Sequence, residues 1–425
     1  MSAEQKAPAS PGLVRGALDV LRRVAADPRT VDLVGVPSRT ASYLVRTWSR
    51  GRRGAQTDGP VPVRVSPWLA TQVLVDEVMI SAMKDPALFP RDHDYAAAGA
   101  DMRAASELFE RSGWLADPAS YHRDPPVPEW EIVTPRRSLD LRYDHVCFPS
   151  EFAPRADEPG RERWLSYEAN RTVHAWMLRH RRGPRPWLVC LHGFGMGWPL
   201  ADMRGFRVRQ LYRSGLNILL PVLPLHGPRA MSSVRGQGFM SIDLIDSLHG
   251  LTQSCWDVRR ALAWLRQEQG AEVVGVYGLS LGAHVASLLA GLDPDLACVI
   301  AGIPEVDLPD LYRRHSPPDV RRLAEHAGAL GETAAAVHRV VSPLAMEARI
   351  PTERRFIFAG LGDRMSTFDH ARRLWLHWGR PRLATYEGGH VGFFFSGAVT
   401  RFVREALISS GLVLRPEPRE VGPAA

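Results

Sequence analysis

Gly278-Leu279-Ser280-Leu281-Gly282 is a G-x-S-x-G pentapeptide set directly after the β-rich run EVVGVYG and directly before the helical segment LGAHVASLLAG. That context predicts a sharp strand-to-helix turn in which the serine is held out from the chain and small flanking residues let the two arms approach. A serine hydroxyl is a weak nucleophile at neutral pH. It needs a base within hydrogen-bond reach and an anion that holds this base in one tautomer. Asp363 lies in the turn GLGDR after the run RFIFAG, and His390 lies in the turn GGH after the run RLATYE. Both fall at carboxyl ends of predicted strands, where side chains distant in sequence converge. Taken singly, Asp363 suits a turn or helix cap and His390 a loop histidine. Taken in the order Ser280, Asp363, His390, they read as nucleophile, orienting acid and general base of acyl transfer.

The oxyanion formed in such a reaction needs preorganised donors. His192-Gly193-Phe194-Gly195 follows the run WLVCL, and the backbone N–H groups of Phe194 and Leu281 are the expected donors. The alternative is a glycine turn that only reverses the chain. LPLHGPR, residues 223–229, ends a neighbouring strand. His226 or Arg229 in it would hold a substrate carboxylate or phosphate, or else form a turn whose arginine pairs with a structural acid. His192 and His284 read as structural support. Phe194, Met196, Trp198, Phe393, Phe394 and Phe395 near the expected site read as a bed for an apolar acyl or alkyl group, or as core.

These residues must be positioned by a repeated βα framework. From Pro186 onward, short Val/Ile/Leu runs alternate with helix-length segments, which predicts an α/β protein with a mostly parallel central sheet flanked by helices. Strands are expected at 187–191, 217–223, 272–278, 297–303, 355–360 and 382–387. Helices are expected near 200–213, 254–268, 281–290, 368–378 and 396–410. Upstream, LRYDHVCF and RTVHAWMLRH begin the sheet after about residue 130. Two connections exceed a plain βα loop, 225–254 and 304–351. The second carries the helical patterns PDVRRLAEHAGAL and TAAAVHRVV and is expected to be a helical lid insertion. Residues 1–129 read as an N-terminal helical extension without chemistry of its own. Its amphipathic runs LVRGALDVLRRV and WLATQVLVDEVMISAM are separated by the Gly/Arg-rich stretch 50–60. The hydrolytic domain is then 130–412, followed by a tail, 413–425.

HGFG, GLSLG, GDR and GGH, each after its own strand, make residues 185–412 resemble the α/β-hydrolase superfamily. The N-terminal segment and LPLHGPR resemble poorly characterised bacterial members more loosely. The resemblance implies an α/β-hydrolase fold and a serine hydrolase that cleaves a carboxylic ester or related acyl bond through an acyl-enzyme. It does not choose a substrate. A peptidase or thioesterase on the same triad stays open, as do a lipid-surface hydrolase and a non-catalytic binding protein on this fold. One departure is Gly282-Ala283, where many relatives carry two glycines; it is expected to narrow helix packing without stopping catalysis.

Among 425 residues, 45% hydrophobic and 23% charged content is ordinary for a globular chain. The formal charge of +7 comes from arginine, since Lys6 and Lys84 are the only lysines. The arginines are scattered and interleaved with acids, which argues against a nucleic-acid partner. The dense run Arg46 to Arg53 reads as a solvated linker. Cys147, Cys190, Cys255 and Cys298 lack C-x-x-C spacing and read as buried free thiols. Without H-E-x-x-H, clustered acids or G-x-G-x-x-G, no metal and no cofactor are expected. No run reaches the roughly 18 apolar residues of a membrane span, and the N-terminus lacks a secretory pattern. The expectation is a cytoplasmic protein with a small-molecule or lipid-like acyl substrate and no integral membrane association, its oligomeric state open.

Overall fold

The computed structural model describes residues 32–52, 63–84, 88–90, 93–138, 141–232, 236–241 and 243–414. The predicted helix at LVRGALDVLRRV and nearly all of the tail lie outside the described residues. Among the described residues, nine strands form one mixed sheet: β1 (Ile132–Ser138), β2 (Leu141–Pro149), β3 (Thr172–Leu178), β4 (Trp187–Leu191), β5 (Asn217–Pro221), β6 (Val274–Leu279), β7 (Cys298–Gly302), β8 (Arg355–Gly360) and β9 (Arg382–Tyr386). Their spatial order is β1-β2-β3-β5-β4-β6-β7-β8-β9. The first three strands and β5 pair antiparallel, and β5, β4, β6, β7, β8 and β9 are parallel. This is the α/β-hydrolase fold expected from the sequence.

Strands β4 to β7 are buried along their whole length. That is why they read as unbroken apolar runs rather than alternating ones: helices cover both faces of a parallel sheet. The edge strand β1 was not legible. It is mostly exposed and contains Pro135, which a ladder edge tolerates.

In chain order the helices are α1 (Val36–Arg52), α2 (Pro67–Met83), α3 (Tyr95–Arg111), α4 (Arg161–Leu165), α5 (Pro199–Gly205), α6 (Val208–Arg213), α7 (Leu244–Gln267), α8 (Leu281–Leu292), α9 (Leu308–His315), α10 (Pro318–Ala327), α11 (Glu332–Val337), α12 (Phe368–His377) and α13 (Gly397–Ser409). Helix α1 runs through Arg52, so the part of the basic run Arg46 to Arg53 that is described is helical rather than linker. Helix α7 starts ten residues earlier than the sequence placed it, with Asp243 as its N-cap. Most of its positions are buried on every side, which hides helical periodicity.

One face of the sheet packs on α7 and α8 through Val173, Val189, Leu248, Leu262 and Val285, and α3 packs on α7 and adds Met102 to the same core. The other packs on α5, α6 and α13 through Leu188, Ile218, Phe206, Phe358 and Phe402. The N-terminal segment therefore joins the main core: α3 buries Ala98, Met102, Ala105 and Phe109 and packs against α10 and α11 of the 304–351 insertion.

Candidate active site

Ser280 stands between the end of β6 and the start of α8 with φ 53° and ψ −115°, a left-handed conformation that a side-chain-bearing residue rarely adopts. The turn is held by its N–H donating to Gly302 O at 2.9 Å and its carbonyl accepting from Ala283 and His284 N–H at 2.9 and 3.0 Å. Its tightness needs both glycines of the pentapeptide. A Cβ on Gly278 would lie 2.1 Å from Gly282 O, and one on Gly282 would lie 1.9 Å from Leu191 O. These obstacles are backbone and cannot swing away. Gly282→Ala is thus expected to destabilise the fold by about 3 kcal/mol or more, read as a lower urea midpoint; an unchanged midpoint would contradict this packing. Ala283, the departure from the two-glycine pattern, is fully buried in the core.

The three residues predicted to converge do so. His390 Nε2 lies 3.0 Å from Ser280 Oγ, and His390 Nδ1 lies 2.7 Å from Asp363 Oδ2. Asp363 Oδ1 accepts from the N–H groups of Met365 and Ser366 at 2.8 and 3.0 Å, so the carboxylate is fixed with its other oxygen toward the imidazole. Burial alone would lower the imidazole pKa, but the Asp363 carboxylate beside it outweighs burial and holds His390 above its ordinary value. Phe194, Ser280 and Leu281 line one narrow cavity of about 60 Å³. Leu281 is the first residue of α8, so its N–H has no acceptor within that helix.

The sequence assigned no chemistry to residues 1–129, yet the structure brings Asp76 of that segment against the candidate site. Asp76 of α2 is fully buried beside His390 and Asp363. Its carboxylate accepts from the His390 N–H at 2.9 and 2.8 Å and from the Arg364 N–H at 2.9 Å, gripping His390 and the turn that carries Asp363. Gly389 makes this possible, since a Cβ there would lie 2.7 Å from either Asp76 oxygen. Burial first, and the Asp363 charge second, raise the Asp76 carboxyl to about 7. The adjacent Glu77 accepts from Arg364 Nε at 3.0 Å and Arg39 Nε at 2.7 Å, and Tyr43 donates to Leu361 O at 3.3 Å. Helices α1 and α2 thereby clamp the turns that carry Asp363 and His390.

The cavity wall is apolar and comes from three parts of the chain: Ile80, Met83 and Phe89 from the N-terminal segment, Leu308, Leu311 and Tyr312 from α9, and Phe194 and Met240 from loops over the sheet. Of the six aromatic and Met residues named from sequence, only Phe194 lines it. Phe393 is core, Phe395 is 70% exposed against Trp68, and Trp198 is also exposed. Glu305 also lines the wall, with its charge met by His284 at 2.9 Å. Burial opposes a charge on His284, yet the Glu305 carboxylate holds its pKa above the ordinary value. His284 Nε2 donates to Val341 O at 2.7 Å, the support role expected of it.

Arg229 follows the structural alternative. It is fully buried, donating to Val222 O, Asn170 O and Asp257 Oδ2 at 2.8 to 2.9 Å, and is not free to meet a substrate. His226 is also buried, its Nδ1 2.8 Å from Pro224 O. His192 accepts from the Leu223 N–H at 3.0 Å and so supports the Gly193 turn. Cys190, Cys255 and Cys298 are buried free thiols as expected, while Cys147 is only half-buried. The expectation of no metal-ligand set overlooked His145, Cys147 and His174, whose ligating atoms lie together among the described residues. No helix among the described residues is long and apolar enough to cross a membrane.

No protein-family model matches the chain. Over 381 residues, 89% of this chain and 91% of the relative, it is 39% identical to the uncharacterized protein MT2702 of Mycobacterium tuberculosis strain CDC 1551 / Oshkosh. It is 38% identical over the same span to the uncharacterized protein Rv2627c of Mycobacterium tuberculosis strain ATCC 25618 / H37Rv. Among solved structures, acetyl xylan esterase 1 from Thermoanaerobacterium sp. JW/SL YS485 superposes with TM-score 0.45 and 14% identity, covering 69% of this chain and 93% of its own. The acetyl xylan esterase from Paenibacillus sp. R4 does so with TM-score 0.45 and 16% identity, covering 75% and 96%. Superposition at that level decides nothing about chemistry. The identity to the mycobacterial proteins across nine-tenths of both chains, with the sheet order and the serine turn, makes this chain a member of their family within the α/β-hydrolase superfamily.

Proposed function

We propose that the protein is a serine hydrolase that cleaves small carboxylic esters through an acyl-enzyme. The observation that carries this reading is the pair of contacts made by His390, 3.0 Å to Ser280 Oγ on one side and 2.7 Å to Asp363 on the other. Ser280 Oγ attacks the ester carbon while its proton passes to His390 Nε2, with Asp363 holding Nδ1–H and balancing the imidazolium. The negative oxygen of the tetrahedral intermediate is received by the N–H groups of Phe194 and Leu281. His390 returns the proton to the leaving alcohol. The same imidazole then takes a proton from water, which attacks the acyl carbon and frees Ser280.

The narrow apolar cavity beside Ser280 favours a short acyl group over a peptide, whose extended backbone needs polar partners along a cleft. The 304–351 insertion acts as a lid in this reading, with α9 over the acyl group. A cytoplasmic setting belongs to the same proposal, supported by four free cysteines.

Intact-mass analysis after exposure to a fluorophosphonate tests the proposal. One adduct on Ser280, absent from Ser280→Ala, together with faster cleavage of acetate and butyrate than of decanoate p-nitrophenyl esters, is the expected result. A folded protein that takes no adduct and cleaves no ester overturns it.

A further inference from the structure

Residues i and i+2 of a strand share a face, so His145 and Cys147 project from β2 to the same side. In the antiparallel register Cys147 is directly opposite His174 of β3, and His145 is opposite Trp176, which places His174 on the diagonal from His145. Three ligating atoms meet there. His145 Nε2 and His174 Nδ1 are 2.9 Å apart, and Cys147 Sγ is 3.2 and 3.3 Å from them. The two imidazoles are stacked at 17°, and the His145 ring also rests on Trp176 at 4.8 Å between centroids.

With Zn–S near 2.3 Å and Zn–N near 2.0–2.1 Å, two ligand atoms of a tetrahedral ion stand about 3.3–3.6 Å apart. The three separations found here are within a few tenths of an ångström of that. Hydrogen bonds join these atoms only pairwise, one imidazole N–H or the S–H donating to a neighbouring ring nitrogen. A cation meets all three lone pairs at once. We propose that His145, Cys147 and His174 form a binding site for a thiophilic transition-metal ion of the Zn²⁺ class. All three residues are half-buried, and three protein ligands leave a fourth tetrahedral position for water. The site stands apart from the triad: β5 and β4 separate β3 from β6, three strand spacings or about 14 Å.

The test uses the full chain, reduced and stripped with a chelator, titrated with Zn²⁺ alone against a chromophoric competitor. One equivalent per chain is expected, with Kd raised at least about 100-fold in Cys147→Ser and in His174→Ala. Co²⁺ is expected to give a thiolate-to-metal absorption band in the near ultraviolet that Cys147→Ser lacks. Fluorophosphonate labelling of Ser280 should be unchanged in both variants, which separates failure of the metal site from failure of the hydrolase reading. A second measurement needs no variant. Cys147 is the half-buried cysteine and the other three are buried, so alkylation by iodoacetamide should fall on it and slow at least tenfold with one equivalent of Zn²⁺. Absence of a saturable equivalent, or Zn²⁺ binding and Cys147 alkylation each indifferent to the other, overturns the site.

Discussion

Asp363→Asn is expected to lower kcat/KM for a p-nitrophenyl ester about 10⁴-fold, approaching the loss in Ser280→Ala, while leaving the unfolding midpoint within about 1 kcal/mol. The reason lies in which oxygen is already committed. Asp363 Oδ1 receives the N–H groups of Met365 and Ser366. An asparagine must therefore keep its carbonyl oxygen in that place, because an NH₂ group there would face two donors. Its NH₂ then points at His390 Nδ1, which must accept rather than donate. The ring proton moves to Nε2, and a protonated Nε2 cannot take the proton of Ser280. Geometry survives and the tautomer is wrong. Equal turnover by Asp363→Asn and the parent protein would remove Asp363 from the mechanism and, with it, the assignment of His390 as base.

The convergence of Ser280, Asp363 and His390 was legible because each follows its own strand; β6 and β8 are almost wholly buried and announce themselves as short apolar runs, while β9 is only partly buried. Ser280 could be placed to the residue, since the steric demands of the elbow write Gly278 and Gly282 into the chain. The observed strand β8 matches the expected span, and β4 does likewise. What could not be read was any contact set by docking rather than by local pattern. Asp76 reaches His390 across 314 residues of sequence, and within α2 an Asp-Glu pair reads as a solvated face because exposure, not type, is what differs. The same holds for the cavity wall. Phe393 to Phe395 follow His390 directly and were natural choices, yet a short 3₁₀ turn at Gly392–Phe395 sends Phe393 into the opposite core and Phe395 to the surface. Antiparallel register decides the His145–Cys147–His174 cluster in the same way: H-x-C is visible on β2, but its partner on β3 depends on which residues face each other.

Asp76→Asn should separate positioning from charge at the floor of the site. The amide oxygen can take the Oδ2 position and keep both the His390 and Arg364 N–H groups, while its NH₂ stands where Oδ1 now shares the His390 N–H, so the variant loses the charge and one of the two contacts to that N–H. A fall in kcat of about 10- to 100-fold with KM nearly unchanged is expected, because a second anion near His390 stabilises the imidazolium formed in the transition state. The pH profile gives the sign. The Asp76 carboxylate adds to the forces that raise the His390 pKa above 6.5, after burial, which lowers it, and Asp363, which raises it most. Without that charge the imidazole loses its proton at lower pH, so the acid limb of kcat/KM must move to lower pH in Asp76→Asn. Stability carries the opposite sign from an ordinary paired carboxylate. A carboxyl raised from 3.8 to about 7 stabilises the fold below its unfolded pKa, and that contribution is lost as pH rises through about 7. Between pH 5 and pH 8 the parent protein should therefore lose more stability in urea than Asp76→Asn does. A variant with a reduced kcat but an unmoved acid limb and an unchanged pH dependence of unfolding would make Asp76 a structural clamp and nothing more.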